Sequence, residues 1–306
     1  MSPSLDTNAV WLITGCSAGL GQSIARHVYA AGHSIVATAR NVDSLDYLPD
    51  GPKVLKLSLD VTSRESITAA VNSTVKRFGR LDVVVNNAGY GVMGELEGFP
   101  EDEARKQLET MFWGPAHLTK ESIRVFREVN APGQGGTIVQ VSSIGGYLAF
   151  QGNAFYHASK FALEGLTKSV NRELNPKWNI RLMILSPAGV KTKFASNLKF
   201  LPRHPAYDND EAPLTSLSKY IKIPSSADAW ADADKCAAVL FDVVLGQKDK
   251  PLPMRLNLGA DSLPLMRHDV GEYLKEMEDW EEESLKVMPS TTEASALHLN
   301  PLTERC

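Results

Sequence analysis

Seven short and nearly unbroken apolar runs punctuate the chain: AVWLIT (9–14), SIVATAR (34–40), VLKLSL (54–59), VVVN (83–86), TIVQVS (137–142), RLMILS (181–186) and RLNL (255–258). A strand with one wet face alternates apolar and polar residues, whereas parallel strands covered on both faces read as continuous runs. Between these runs, apolar residues recur with helical period near 20–31, 64–78, 101–127, 155–174 and 228–245, and Pro176 stops the fourth of these. Strand–helix repetition of this kind predicts an α/β fold built on a doubly wound parallel sheet.

Two segments break the rhythm. Residues 197–227 carry Pro202, Pro205, Pro213 and Pro224 among polar and aromatic positions, and a long irregular insertion of this kind reads as a lid or binding loop. Further on, GEYLKEMEDWEE (271–282) places Tyr273, Met277 and Trp280 at helical spacing. It predicts a C-terminal helix docked by its apolar face, with its acidic face in water. The last stretch, 289–306, has no periodicity and reads as a frayed tail. Residues 1–288 are thus expected to form one domain.

Composition narrows the function classes. The chain has 306 residues, 43% of them hydrophobic, enough for one large core. A net charge of −4 and the lack of Lys/Arg runs argue against nucleic-acid binding. No basic segment leading into an apolar stretch opens the sequence, and no run approaches the roughly 20 apolar residues of a membrane span. Cys16, Cys236 and Cys306 are scattered and the seven histidines isolated, so neither a disulfide framework nor a metal site is indicated. The expectation is a cytoplasmic protein.

The first strand runs into TGCSAGLG (14–21), with Gly15, Gly19 and Gly21 opening the next helix. Such a turn lets backbone N–H groups and a helix N-terminus approach a pyrophosphate, which makes the domain Rossmann-type. The same letters spell G-x-S-x-G, a nucleophile elbow with Ser17 as nucleophile and His268 or His298 as base. An elbow follows several strands of a built sheet, and this one follows the first, so the hydrolase reading is set aside. After the second strand, a dinucleotide site tests the ribose 2′ position. The chain has no acid at Ala39 and offers Arg40 next, which suits a 2′-phosphate and hence NADP(H).

Of the eight tyrosines, Tyr156 has a lysine four residues on, in YHASK. On a helix these two side chains stand about 5–6 Å apart, close enough for Lys160 to bias the phenol toward proton transfer.

TGCSAGLG (14–21), LDV (59–61), NNAG (86–89), the serine of VSSIGG, YHASK (156–160) and SPAGVKT (186–192) occur in this order at suitable intervals. Together they resemble the short-chain dehydrogenase/reductase family over roughly residues 8–260. The stretch PMRLNLGADSL is similar to its hydroxysteroid- and retinol-dehydrogenase-like branch. The resemblance implies Tyr156 as the acid that protonates a carbonyl oxygen, Lys160 as the group that lowers its pKa and holds the nicotinamide ribose, and Ser143 as the substrate-polarising serine, Ser142 being the weaker candidate. It also implies that Gly15, Ser17, Gly19, Leu20 and Gly21 hold the cofactor's phosphates. Asp60 and Val61 would meet its adenine, Asn87 would line its trough, and Val190 and Thr192 would take its carboxamide and phosphate end.

Two positions depart from the family pattern. Met111 stands where N-x-x-G would place an asparagine that helps hold a water behind the lysine. Ala188 stands where P-G-x-x-x-T has glycine. The leading expectation is an NADPH-dependent carbonyl reductase, or the reverse alcohol dehydrogenase, acting on a fairly apolar small molecule, with Tyr147, Leu148, Phe150 and Phe155 around its pocket. The alternatives are non-redox acid/base chemistry (cyclase, dehydratase or epimerase) and a non-catalytic NADP(H)-sensing module. The resemblance further implies a homodimer or homotetramer formed through helices 101–127 and 155–174.

Overall fold

Parallel order in the sheet follows from the apolar runs. The structure, a computed structural model, describes residues 8–223, 230–246 and 250–287. The expected seven strands are Val10–Ile13 (β1), Ser34–Ala39 (β2), Val54–Ser58 (β3), Val83–Asn86 (β4), Gly136–Val141 (β5), Ile180–Pro187 (β6) and Arg255–Leu258 (β7). All pair in parallel, in the order β7-β6-β5-β4-β1-β2-β3. This is the doubly wound α/β arrangement, and the order reverses between β1 and β4. Ligands bind at such a switch point, beyond the carboxyl ends of the strands.

Burial on both faces explains the unbroken apolar runs. Trp11 and Ile13 of β1 point into one core, with Ile24 and Val28 of Gly19–Ala30 (α1) and with Leu240 and Phe241. Val10 and Leu12 point into the other, with Ile67 and Val71 of Arg64–Phe78 (α2) and with Leu118, Val125 and Phe126. Trp11 stacks on Phe241 with centroids 5.6 Å apart. Local signals fix the ends of α2. The Ser63 hydroxyl accepts from Ser66 N at 3.1 Å, and Gly79 closes the helix at φ 73°.

Besides a four-residue turn at Lys193–Ser196, the remaining α-helices among the described residues are Glu101–Leu108 (α3), Gly114–Glu128 (α4), Ala154–Glu173 (α5), Pro213–Lys222 (α6), Ala233–Val244 (α7), Ser262–Asp279 (α8) and Glu281–Leu285 (α9). Between α3 and α4 the chain keeps turning through a π-helical segment, Glu109–Trp113. Such insertions concentrate at functional sites.

Two expectations need correction. The stretch 197–227 is less irregular than its prolines suggest, because α6 lies within it; Pro at the first helical position suits a helix start. It is also tied down. Val92–Met93 pairs with Lys199–Phe200. Arg203 binds the buried Glu95 carboxylate (Nε to Oε1, 2.6 Å), the Thr215 hydroxyl (2.7 Å) and the Tyr207 carbonyl (2.5 Å). Residues 224–227 of this stretch, and the expected tail at 289–306, lie outside the described residues. The second correction concerns the C-terminal helix. It begins at Ser262, well before residue 271, and it is not docked: Ser262 is its one buried residue.

Candidate active site

The glycine loop is held by the NNAG segment. Thr14 Oγ1 accepts from the backbone N–H groups of Asn87 (2.9 Å) and Ala88 (3.0 Å). Asn87 Nδ2 donates back to Thr14 O (2.8 Å) and Gly15 O (3.1 Å). Gly15 and Gly19 sit at φ 71° and 61°, where a side chain is strained. A Cβ on Gly21 would come within 2.4 Å of both Asn87 Nδ2 and Gly15 O. The loop therefore closes only with glycine. Ala18, the N-cap of α1, provides no side-chain acceptor, so the orphan amides of the first turn face the cleft without an internal acceptor from their cap. That is a place for an anion. Thr192 packs across Gly19, its Cβ 3.1 Å from where a Gly19 side chain would begin.

A cleft of about 1280 Å³ runs from this loop. Every expected site residue except Gly21 lines it: Gly15, Ser17, Gly19, Leu20, Arg40, Asp60, Val61, Asn87, Ser143, Tyr156, Lys160, Val190 and Thr192. Gly21 lies just behind, supporting the loop. His268, the base that the hydrolase reading needs for Ser17, stands exposed on α8 and is not among the cleft residues.

Near Arg40, Asp60 accepts from Thr62 N (2.9 Å) and the Thr62 hydroxyl (2.8 Å). These bonds, with a smaller contribution from nearby Arg40, hold its carboxyl below the usual range. Arg40 itself is exposed and forms no ion pair among the described residues. The donor set thus fits a dinucleotide: uncapped amides for pyrophosphate, a carboxylate for adenine or ribose, and an uncommitted guanidinium beside the ribose.

The helix α5 projects Tyr156, Lys160 and Glu164 from one face, four residues apart. Lys160 Nζ donates to Val141 O at 2.8 Å and lies 5.9 Å from the centre of the Tyr156 ring. Burial lowers the Lys160 pKa to about 8, against the pull of Glu164, which raises it. Tyr156 is pushed above its ordinary value by burial, while a hydrogen bond with Ser143 draws it back. The expectation that Lys160 lowers this phenol is corrected: the shift is upward, desolvation leads it, and the opposing pull comes from Ser143.

Ser143 is set by its surroundings: its hydroxyl accepts from Gly145 N (3.0 Å) and its carbonyl accepts from the Ser186 hydroxyl (2.9 Å). Ser142 is committed elsewhere, donating to Glu164 Oε1 at 2.7 Å. Arg255 grips both oxygens of the same buried carboxylate. The Glu164 carboxylate therefore joins α5 to β7 through an ion pair and to Ser142, just past β5, through a hydrogen bond. Glu164 was within reach of sequence reasoning, since it is the next i,i+4 step after Tyr156 and Lys160. His157 was not. Its Nδ1 meets Gly145 O at 2.8 Å and its Nε2 accepts from Phe150 N at 2.9 Å, which clamps the loop beside Tyr156. Burial keeps this imidazole's pKa low.

The pocket beside Tyr156 differs in detail from the expected one. Phe150 lines it, but Tyr147 covers Arg255, Leu148 is buried, and Phe155 packs on Phe99. Its apolar walls come instead from Met93, Phe194, Leu198, Ile221 and Trp230. Of the two departures from the family pattern, Ala188 lines the cleft beside Gly189, against which the Trp230 ring closes; a Gly189 Cβ would meet that ring at 2.6 Å. Met111, in the π-helical segment, is buried and turns its sulfur toward Gly89.

Comparison with known proteins bears on the same residues. The family description "short chain dehydrogenase" matches residues 9–200. The chain belongs to this family. It is 40% identical to oxidoreductase calM of Penicillium decumbens over 280 residues, which cover 90% of this chain and 91% of that one. Retinol dehydrogenase 8 of Bos taurus is 29% identical over 258 residues, 80% of each chain. A solved short-chain dehydrogenase from Streptomyces avermitilis superposes with a TM-score of 0.79 at 32% identity, covering 92% of this chain and 99% of that one. This short-chain dehydrogenase is an oxidoreductase with a small-molecule substrate, and the cofactor of its family is NAD(H) or NADP(H). Among the described residues no helix is long and apolar enough to cross a membrane.

Met111 yields a first expected result. A thioether accepts weakly and donates nothing, so the water that an asparagine would help hold has no strong partner there. Met111→Asn is expected to keep the fold, shown by a cooperative thermal transition, at a melting temperature somewhat lowered by a polar group in a buried place. Its carbonyl-reductase rate should equal wild type or exceed it up to about tenfold, equivalent to about 1.4 kcal/mol.

Proposed function

We propose that this enzyme is an NADP(H)-dependent carbonyl reductase, acting on a fairly apolar small molecule with Tyr156 as proton donor. The observation that carries this reading is that Ser143, Tyr156 and Lys160 stand together in the same cleft that the glycine loop lines. A nicotinamide cofactor bound in the cleft would supply the hydride. The chain's own part is positional and electrostatic. Ser143 and Tyr156 aim two hydroxyls at one point, where a carbonyl oxygen gathers negative charge. Tyr156 then gives that oxygen its proton, and Lys160, tied to Val141 O, keeps a positive charge beside the phenol.

Desolvation supports reduction as the working direction. A phenol held above its ordinary pKa is an acid that keeps its proton until an oxyanion needs it. Arg40, at the end of β2 with no acid beside it, supports NADPH over NADH. The walls made by Met93, Phe150, Phe194, Leu198 and Trp230 favour an apolar substrate, and the likeness to a protein named for retinol points the same way. As in the family, α4 and α5 serve for association into a dimer or tetramer. Anaerobic NADPH oxidation against a panel of apolar ketones and aldehydes, with product identification, tests the reading. Consumption of NADPH by at least one of them is expected; none across the panel refutes it.

The pH profile should show Lys160. Its ammonium is lost as pH rises through about 8 in the cofactor-free enzyme, and kcat/KM for NADPH reports that form. The value should be level below this pH and decline above it. A flat profile to pH 10 would remove Lys160 from the account.

A further inference from the structure

The helix α8 departs from the sheet after β7 with its apolar side uncovered. Tyr273 is 61% exposed, Leu274 52%, Met277 54% and Trp280 60%. Along one side, Leu263, Met266, Val270, Tyr273 and Met277 of α8, with Trp280 at its C-cap, alternate spacings of three and four, while Leu265 and Leu274 stand exposed beside this stripe. That is the seam pattern of a two-stranded coiled coil. A helix of about 27 Å is marginal in water without a packing partner, and a monomer seldom leaves such a stripe bare.

We propose that α8 pairs with α8 of a second copy of this chain, antiparallel about a twofold axis. Charge decides the direction. Residues 272–283 hold seven carboxylates and one lysine, whereas 262–271 hold Arg267, His268 and Asp269. A parallel pair would lay acid upon acid. The antiparallel pair sets each acidic half against the near-neutral half of its neighbour, and each negative helix terminus near a positive one. Shape decides the occupant. In the symmetric register, Leu263 meets the partner's Trp280, Met266 the partner's Met277, and Val270 the partner's Tyr273. Every stripe residue of α8 is then used, and each of these three contacts recurs by symmetry. At the edges, the Arg267 stem covers the partner's Leu274. One edge sets Asp269 beside the partner's Glu276, a like-charged pair at the exposed rim whose repulsion is small against the three buried apolar contacts. The acidity also argues against a lipid surface, since helices that lie on membranes carry Lys and Arg on their polar face.

Sedimentation of the full chain tests this, with the double variant Tyr273→Glu/Met277→Glu alongside. Both side chains lie outside the cores of the single subunit, so the variant should keep the subunit fold, shown by an unchanged carbonyl-reductase rate, while its melting temperature falls with the loss of the pair. Wild type is expected to be a tetramer, joined through α4 and α5 and through α8, and the variant a dimer. A second measurement fixes the register. In a Cys306→Ser background, Leu263→Cys/Trp280→Cys should form a covalent dimer on mild oxidation, while either single substitution should not. A monomeric wild type overturns the proposal, whether or not it captures a basic helical peptide. So does an assembly that the glutamates leave intact, which would leave association to α4 and α5 alone. Cross-linking by Val270→Cys alone would replace the antiparallel pair by a parallel one and refute the proposal as stated.

Discussion

Tyr156→Phe is expected to lower carbonyl turnover by about 10²–10⁴-fold, the usual worth of a positioned general acid, while NADPH affinity stays within a few-fold of wild type. The substitution removes one hydroxyl and leaves the ring, which packs near His157 and Phe194, so the wall of the cleft persists. Burial and the Ser143 contact make this phenol an acid whose proton is released only to a strong acceptor. An oxygen gaining charge beside it would be such an acceptor. With phenylalanine, Ser143 remains as the one hydroxyl at that point, and it lacks the neighbouring ammonium. The measurements are single-turnover NADPH oxidation and a fluorescence titration of NADPH. A rate within threefold of wild type would dismiss Tyr156 as the acid.

Arg40→Glu is the other large effect. Hydrogen bonds to charged groups contribute about 1.5–3 kcal/mol, and a planar guanidinium can hold a phosphate through two of them at once. Reversing the charge removes those bonds and sets a carboxylate against the phosphate. NADPH should therefore bind about 10²-fold more weakly, with NADH unchanged or tighter, because an acid there can accept from a ribose 2′-hydroxyl. Arg40 is exposed and has no ion pair to lose among the described residues, so stability should not change. Titration of both cofactors into both proteins checks this. Equal affinity of wild type for NADH and NADPH would remove Arg40 from its role.

Much of the frame could be read from the chain because β1, β4 and β5 are covered on both faces, and such strands leave apolar runs whatever the loops do. The strand at 83–86 and the helix at 64–78 fall where the pattern put them. The glycine loop was equally legible, since positive φ and close approach at Gly15, Gly19 and Gly21 leave one residue type. Other features depend on pairs far apart in sequence and carry no local signal. Arg203 meets Glu95 across 108 positions, and Arg255 meets Glu164 across 91. His157 is a lone histidine in sequence, and it acquires a task only when Gly145 and Phe150 fold around it. The C-terminal helix shows a different limit. Amphipathic spacing says that α8 has an apolar face, but not whether that face meets its own domain.

One measurement bears most directly on hydride transfer assisted by Tyr156. The enzyme would be given NADPH carrying deuterium at both C4 positions, with the best carbonyl compound from the panel, and the product alcohol analysed by mass spectrometry and NMR. The account predicts an alcohol with one deuterium on the former carbonyl carbon, formed in step with NADPH loss, and a yield that collapses in Tyr156→Phe. An alcohol with no deuterium at that carbon, or full labelled yield from the phenylalanine variant, would contradict it.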